Sequence, residues 1–200
     1  AHRGNGILGP ENTIAAFLAS RNRADIVEFD VQISADNQLV VIHDSEVSRT
    51  TNGTGLVNES TLAELKELDA GFCYSPYFVG EQIPTMEEAI QTILPFGTAL
   101  IDRKSGSAAI YVTELQRLNL TSDVIVQSSD WQFLSLVNSL DPEITLSGLG
   151  SGPLSIDQLE FLQSIGVSIV SWQKDHIGPD EIDLIHSFGM SVYVWTINGP

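Results

Sequence analysis

The chain has 200 residues, 42% of them hydrophobic, a mean hydropathy of +0.09 and a formal net charge of −17. That length suits one domain, 1–200, with a full core, and no apolar run approaches the roughly 18–20 residues of a transmembrane segment. The charge argues against nucleic acid as a partner and against a polybasic membrane patch, because both need clustered Lys and Arg. The one cysteine, Cys73, rules out an intramolecular disulfide and a cysteine zinc site.

His2-Arg3-Gly4 opens the chain and a glycine-containing loop leads to Pro10-Glu11-Asn12-Thr13. A helix follows, with apolar positions at Ile14, Phe17 and Leu18. The stretch Ile26 to Asp44 then alternates on a two-residue period: Val27, Phe29 and Val31 face one way, Glu28, Asp30 and Gln32 the other. Asp36-Asn37 suits a two-residue hairpin turn, since both residues tolerate positive φ. That turn pairs Ala35 with Gln38 and Ile33 with Val40, and sets Asp30 opposite His43. Ser45 to Gly80 reads as an irregular insertion with turn chemistry at 49–55 and a short capped helix beginning at Ser60-Thr61. A helix is expected over Met86–Leu94.

A rhythm then sets in. Strand-like runs Ala99–Lys104, Val124–Ser128, Ile144–Ser147, Val167–Trp172 and Ser191–Thr196 alternate with helical patterns Ala108–Leu118, Trp131–Leu140, Ser155–Ile165 and Pro179–Phe188. Strands and helices at this spacing indicate βα units and a parallel sheet. With the residues before His2 ending a first strand, the series reads as an α/β (β/α)8 TIM barrel clipped at both ends, with an extra β-hairpin and the insertion at about 45–80. A doubly wound open sheet is the competing architecture; it usually carries a glycine-rich phosphate loop, and none is evident.

Glu28, Asp30, Asp102 and Lys104 fall late in their strands, which in a barrel is the catalytic end. Asp102 and Lys104, two apart, point the same way and form either a structural ion pair or part of a ligand site. An anionic substrate, repelled by the whole chain at long range, needs a locally cationic pocket or a metal. Three carboxylates, Glu28, Asp30 and Asp102, suit a hard cation, Mg2+ or Ca2+. His2 and His43 can supply a base and an acid near neutral pH, and Arg3 and Lys104 can hold phosphate. Together these parts describe phosphodiester cleavage.

The same residues carry a family likeness. His2-Arg3-Gly4 with Pro10-Glu11-Asn12-Thr13, Glu28-x-Asp30 with His43-Asp44, Arg49-Thr50-Thr51-Asn52-Gly53, Thr61-Leu62-x-Glu64-Leu65, Leu68-Asp69-x-Gly71, Ile83-Pro84-Thr85-x-Glu87-Glu88 and Val194-Trp195-Thr196-x-Asn198 occur in an order that resembles the glycerophosphodiester phosphodiesterases. The resemblance implies a barrel that hydrolyses a small-molecule glycerophosphodiester to glycerol 3-phosphate and an alcohol. It implies His2 and His43 as the acid–base pair, Glu28 and Asp30 as metal ligands with Asp102 as the third, and Arg3, Lys104 and Trp195 as substrate-binding residues. It further implies Glu11, Asn12 and Asp44 as residues that support the site. The chain departs from the family at Asp102-Arg103-Lys104, where the family usually has Glu-x-Lys. Two other readings are a phospholipase D-like lipid phosphodiesterase of the same superfamily, which lacks the Ser45–Gly80 insertion, and a barrel that binds phosphodiesters without turnover.

Overall fold

The computed structural model describes residues 1–197, and these fall into two compact units, Ala1–Gly106 and the chain from Ser107 onward. In the first unit, β1 (Ile26–Ile33) lies between β2 (Leu39–Val41), antiparallel to it, and β3 (Thr98–Arg103), parallel to it. Helices α1 (Ile14–Ala19), α2 (Leu62–Lys66) and α3 (Met86–Ile93) complete the unit. Val27, Phe29 and Val31 are fully buried on one face of β1, and Asp30 and Gln32 are buried on the other. Burial of both faces is the condition of a parallel strand. Phe17 of α1 meets Phe29 of β1 with ring centroids 5.7 Å apart.

The chain start runs beside β1. The Ala1 ammonium donates to the Ile26 carbonyl at 2.6 Å, and the Glu28 N–H donates to the Ala1 carbonyl at 2.8 Å. This is the slanted spacing of a parallel ladder, and it brings His2 and Arg3 alongside Glu28. Gly4 then turns away with φ +76°, and a Cβ there would sit 2.8 Å from the backbone of Ala16 in α1. Both the left-handed backbone and the close approach require glycine.

The hairpin register differs from the sequence expectation by one residue. Ile33 pairs with Leu39, Gln32 with Val40 and Val31 with Val41, and the Ile42 N–H donates to the Asp30 carbonyl at 3.0 Å. Asp30 therefore faces Ile42 and not His43. The loop holds three residues, Ala35 to Asn37, because Asn37 takes φ +61° and Ser34 closes against Gln38 through two hydrogen bonds of 2.9 Å. A turn followed by a left-handed residue is the next commonest hairpin closure after the two-residue turn. A one-residue slip reverses every side chain along a strand. β2 ends at Val41, however, so the pleat does not dictate where His43 points.

The insertion has its own small core. Val47, Val57, Leu65 and Ala70 pack with Val40, Ile42 and Ile83, which fastens the segment to the hairpin. Thr61 and Glu64 form a reciprocal cap on α2, as Thr85 and Glu88 do on α3.

In the second unit, β4 (Val124–Ser128), β5 (Thr145–Gly150), β6 (Ile169–Gln173) and β7 (Ser191–Trp195) pair in parallel in chain order. Helices α4 (Ala108–Leu118), α5 (Trp131–Leu140), α6 (Ile156–Ser164) and α7 (Pro179–Ser187) alternate with them. Gly166 and Gly189 follow α6 and α7 with φ +80° and +74°, ending each helix in the left-handed conformation. The βα succession, the hairpin after β1 and the insertion between β2 and α3 are those expected of the (β/α)8 class. Trp195, half-buried, ends β7, and its indole N–H has no hydrogen-bond partner among the described residues. Asn198 of the final motif lies outside the described residues.

Gly4→Ala is expected to lower unfolding free energy by about 1–3 kcal/mol, since it combines a strained φ with a backbone clash. The denaturant midpoint at unchanged slope measures it.

Candidate active site

Of the side chains singled out from sequence, all but Trp195 belong to the first unit, and they gather around Asp30. The β1–β3 register pairs Asp30 with Asp102 and Glu28 with Leu100. Neighbouring strands lie about 4.8 Å apart, so the two aspartates stand side by side while Glu28 sits one pleat earlier. One carboxylate oxygen from each of Glu28, Asp30 and Asp102 falls within 4.8 Å of the others.

Asp30 is fully buried and receives partners on every side. The Lys104 Nζ lies 3.0 Å from one carboxylate oxygen; Arg3 Nε, at 3.1 Å, and the Asn12 amide, donating at 2.8 Å, share the other. Asn12 also accepts from the Asp30 backbone N–H at 3.2 Å, and its own N–H donates to the Arg3 carbonyl at 3.0 Å. Asn12 takes φ +58° to do this and Arg3 takes +53°; asparagine is among the few residues that tolerate that region. The Asp102–Lys104 ion pair considered from sequence is present, at 2.7 Å, but Lys104 bridges both aspartates rather than serving Asp102 alone.

Burial and repulsion shape the titration of Glu28 and Asp102. Burial, then the charges of Asp30 and Asp102, push the Glu28 carboxyl well above its ordinary value, against a hydrogen bond of 2.8 Å from the Arg3 backbone N–H. Burial also raises Asp102, with Lys104 opposing. For Lys104 burial acts downward, but Asp102 and Asp30 outweigh it and hold the ammonium above its usual value. These are the marks of a site built for positive charge. An all-oxygen set of this spacing fits a hard divalent cation and does not resemble a thiolate or imidazole zinc site.

His2 adjoins Glu28, and His43 adjoins Asp44. His2 is half-exposed, with Nε2 4.0 Å from Glu28. Partial burial and the charge of Arg3 hold its imidazole below the usual pKa, despite Asp30 and Glu11. His43 donates from Nδ1 to Asp44 at 2.6 Å. An ionised carboxylate can only accept, so this bond sets the proton on Nδ1, and in the neutral ring Nε2 is then the acceptor. The Gln32 amide donates to the His43 carbonyl at 2.9 Å and holds the turn.

A second tier links the two histidine loops. Asp44 accepts from Arg49 Nε, and Arg49 grips both oxygens of Glu11, at 2.7 and 3.0 Å. Glu11 in turn accepts from Arg3 at 2.9 Å. Partial burial works against ionisation of Glu11, yet Arg49 and Arg3 keep its carboxyl below the ordinary value. Arg49 was legible in the sequence only as part of a turn and a family motif. Glu11 and Asn12 were legible only as neighbours of the site. Arg3, expected to hold phosphate, is here paired to Asp30 and Glu11. Beside this bridge lies a cleft of about 200 Å³, lined by Pro10, Glu11, Arg49, Thr50, Cys73 and Tyr74 among others.

Arg49's hydrogen bond, with a smaller one from His43, lowers Asp44 to about 2 against the effect of partial burial. A depressed folded-state value stabilises the fold above the unfolded carboxylate pKa, near 4, and the contribution is lost as pH falls toward about 2. The stability difference between the wild type and Asp44→Asn should therefore be constant from pH 5 to neutrality and shrink below about pH 4. Paired denaturation curves across that range test it.

The family model described as glycerophosphoryl diester phosphodiesterase matches residues 2–200. The chain is 37% identical over 207 residues to the Bacillus subtilis protein YhdW, covering 99% of this chain and 85% of that protein. It is 34% identical over 207 residues to a glycerophosphodiester phosphodiesterase of Caldanaerobacter subterraneus subsp. tengcongensis, covering 99% and 84%. Among solved structures, an Oleispira antarctica phosphodiesterase in complex with the product sn-glycerol-3-phosphate superposes with a TM-score of 0.91 at 30% identity, over 100% of this chain and 84% of that one. The Agrobacterium tumefaciens str. C58 glycerophosphodiester phosphodiesterase superposes at 0.85 with 27% identity, over 99% and 86%. With the sequence motifs, the acidic cluster and the fold in agreement, the chain belongs to the glycerophosphoryl diester phosphodiesterase family of enzymes.

Proposed function

We propose that this protein is one domain, 1–200, that hydrolyses glycerophosphodiesters to glycerol 3-phosphate and an alcohol with the help of a divalent cation. The observation that carries the reading is the cluster of three carboxylates within 4.8 Å with one imidazole 4.0 Å from Glu28, and it is supported by a second imidazole in the same unit held by Asp44. The product in the Oleispira antarctica relative supports the substrate class.

In this reading Glu28, Asp30 and Asp102 hold Mg2+ or Ca2+. A bound cation supplies polarisation of a phosphoryl oxygen and cancels substrate charge. His43 and His2 form the acid–base pair: one accepts the proton of the attacking oxygen and the other returns a proton to the departing alkoxide, so one water is consumed for each diester cleaved. Asp44 keeps the His43 proton on Nδ1, so that Nε2 faces the reaction as a base. Lys104 and Arg3 steady the acids before substrate arrives and offer donors to phosphate once it does. Asp102, one methylene shorter than the family's usual glutamate, is supported by Lys104 at 2.7 Å. Trp195 is assigned to substrate binding on the family pattern.

His43→Ala is expected to lower glycerol 3-phosphate release from glycerophosphocholine by about 10²–10⁴-fold, with the circular dichroism spectrum unchanged; near-wild-type rates would remove His43 from the chemistry. Asp102→Ala should raise the ion concentration needed for half-maximal rate more than it lowers the unfolding midpoint. An ion titration identical to the wild type would strike Asp102 from the ligand set.

A further inference from the structure

We propose that Ile7, Leu8, Phe72, Tyr77 and Val79 form a rim that docks on a zwitterionic lipid surface. These side chains face water: Ile7 is 88% exposed, Tyr77 95%, Val79 62% and Phe72 60%. They come from two loops that the fold joins, for the Tyr74 hydroxyl donates to the Ile7 carbonyl at 2.7 Å. Both loops border the cleft beside Glu11 and Arg49, through Gly6 on one side and Cys73 and Tyr74 on the other.

Exposure here is not fraying. The Asp69 carboxylate accepts from the Gly71 and Gly80 N–H groups, each at 2.9 Å, and so clasps the two ends of the second loop. Within it, a Cβ on Gly71 would fall 1.8 Å from the Phe78 carbonyl oxygen, and Tyr74 and Phe78 meet edge to face at 5.4 Å. Ser75 caps the turn that carries Tyr77. The loop is thus closed by its own bonds while its tip presents apolar groups outward, a pattern that marks an interaction surface.

Charge selects the occupant. No Asp, Glu, Lys or Arg occurs in residues 4–10 or 70–80, although the chain as a whole carries −17. An anionic bilayer would be repelled and would find no cation on the rim. A second copy would bring its own −17 against the first. Phosphocholine-type headgroups impose neither cost, and tyrosine and phenylalanine among aliphatic side chains settle well at the boundary between headgroups and acyl chains.

Co-sedimentation with phosphatidylcholine vesicles tests the rim. Binding is read without turnover, so its outcome stands apart from that of the hydrolytic reading. The wild-type chain should pellet with phosphatidylcholine vesicles at low and high salt alike. A triple variant, Ile7→Ser, Phe72→Ser and Tyr77→Ser, should lose about tenfold or more of that partitioning at an unchanged unfolding midpoint. Wild-type protein left in the supernatant, equal binding by a folded variant, or salt-sensitive binding restricted to phosphatidylglycerol vesicles would overturn the proposal. So would a concentration-dependent dimer, formed without vesicles and lost in the variant, which would assign the rim to a second copy. If the triple variant unfolds, the single change Tyr77→Ser at the loop tip carries the same comparison.

Discussion

The structure of this site depends on pairing one carboxylate that lies inside protein. Asp30 is fully buried, and an isolated carboxylate there would cost several kcal/mol. Lys104, Arg3 and Asn12 meet that cost from three separate segments, the end of β3, the opening loop and the turn before α1. Two of these segments are bent to reach it, for Arg3 and Asn12 adopt left-handed backbone. Strain of this kind persists where surrounding bonds over-determine it, and Asp30 is what supplies those bonds. The aspartate is therefore as much an organiser of the opening loop as a candidate ligand.

The second tier extends this order outward. The insertion is anchored by its apolar core against the hairpin, and from that anchored position Arg49 reaches both Asp44 and Glu11. His43 thus owes its orientation to a segment that follows it in the chain, while Arg3 is steadied through Glu11. An insertion that looks like an appendage in sequence is tied into the same set of bonds as the histidines.

Much of the fold was legible because local signals repeat. Apolar period, capping residues and helix-ending glycines place β4, α4 and α5 at their expected bounds and most other elements within a residue or two, while β5 runs three residues past its expected end at Ser147. The hairpin register was not legible. Ser34 to Gln38 contains both a two-residue and a three-residue closure, and the choice turns on the left-handed Asn37 and the Ser34–Gln38 bonds. The expected pairing of Asp30 with His43 fails for that reason, and β2 ends at Val41, before His43 is reached. The acidic cluster could be read from two-residue spacing along β1 and β3. The clamp of Asn12 and the grip of Arg49 on Glu11 could not, since contacts between residues 18 and 38 positions apart leave no periodic trace.

The linked side chains also carry an imbalance of charge. Arg3, Arg49 and Lys104 alternate with Asp30, Glu11 and Asp44 in a neutral string, and Glu28 and Asp102 stand beside it as surplus. The cluster thus holds more acidic than basic side chains, and the excess of negative charge grows as Glu28 and Asp102 ionise.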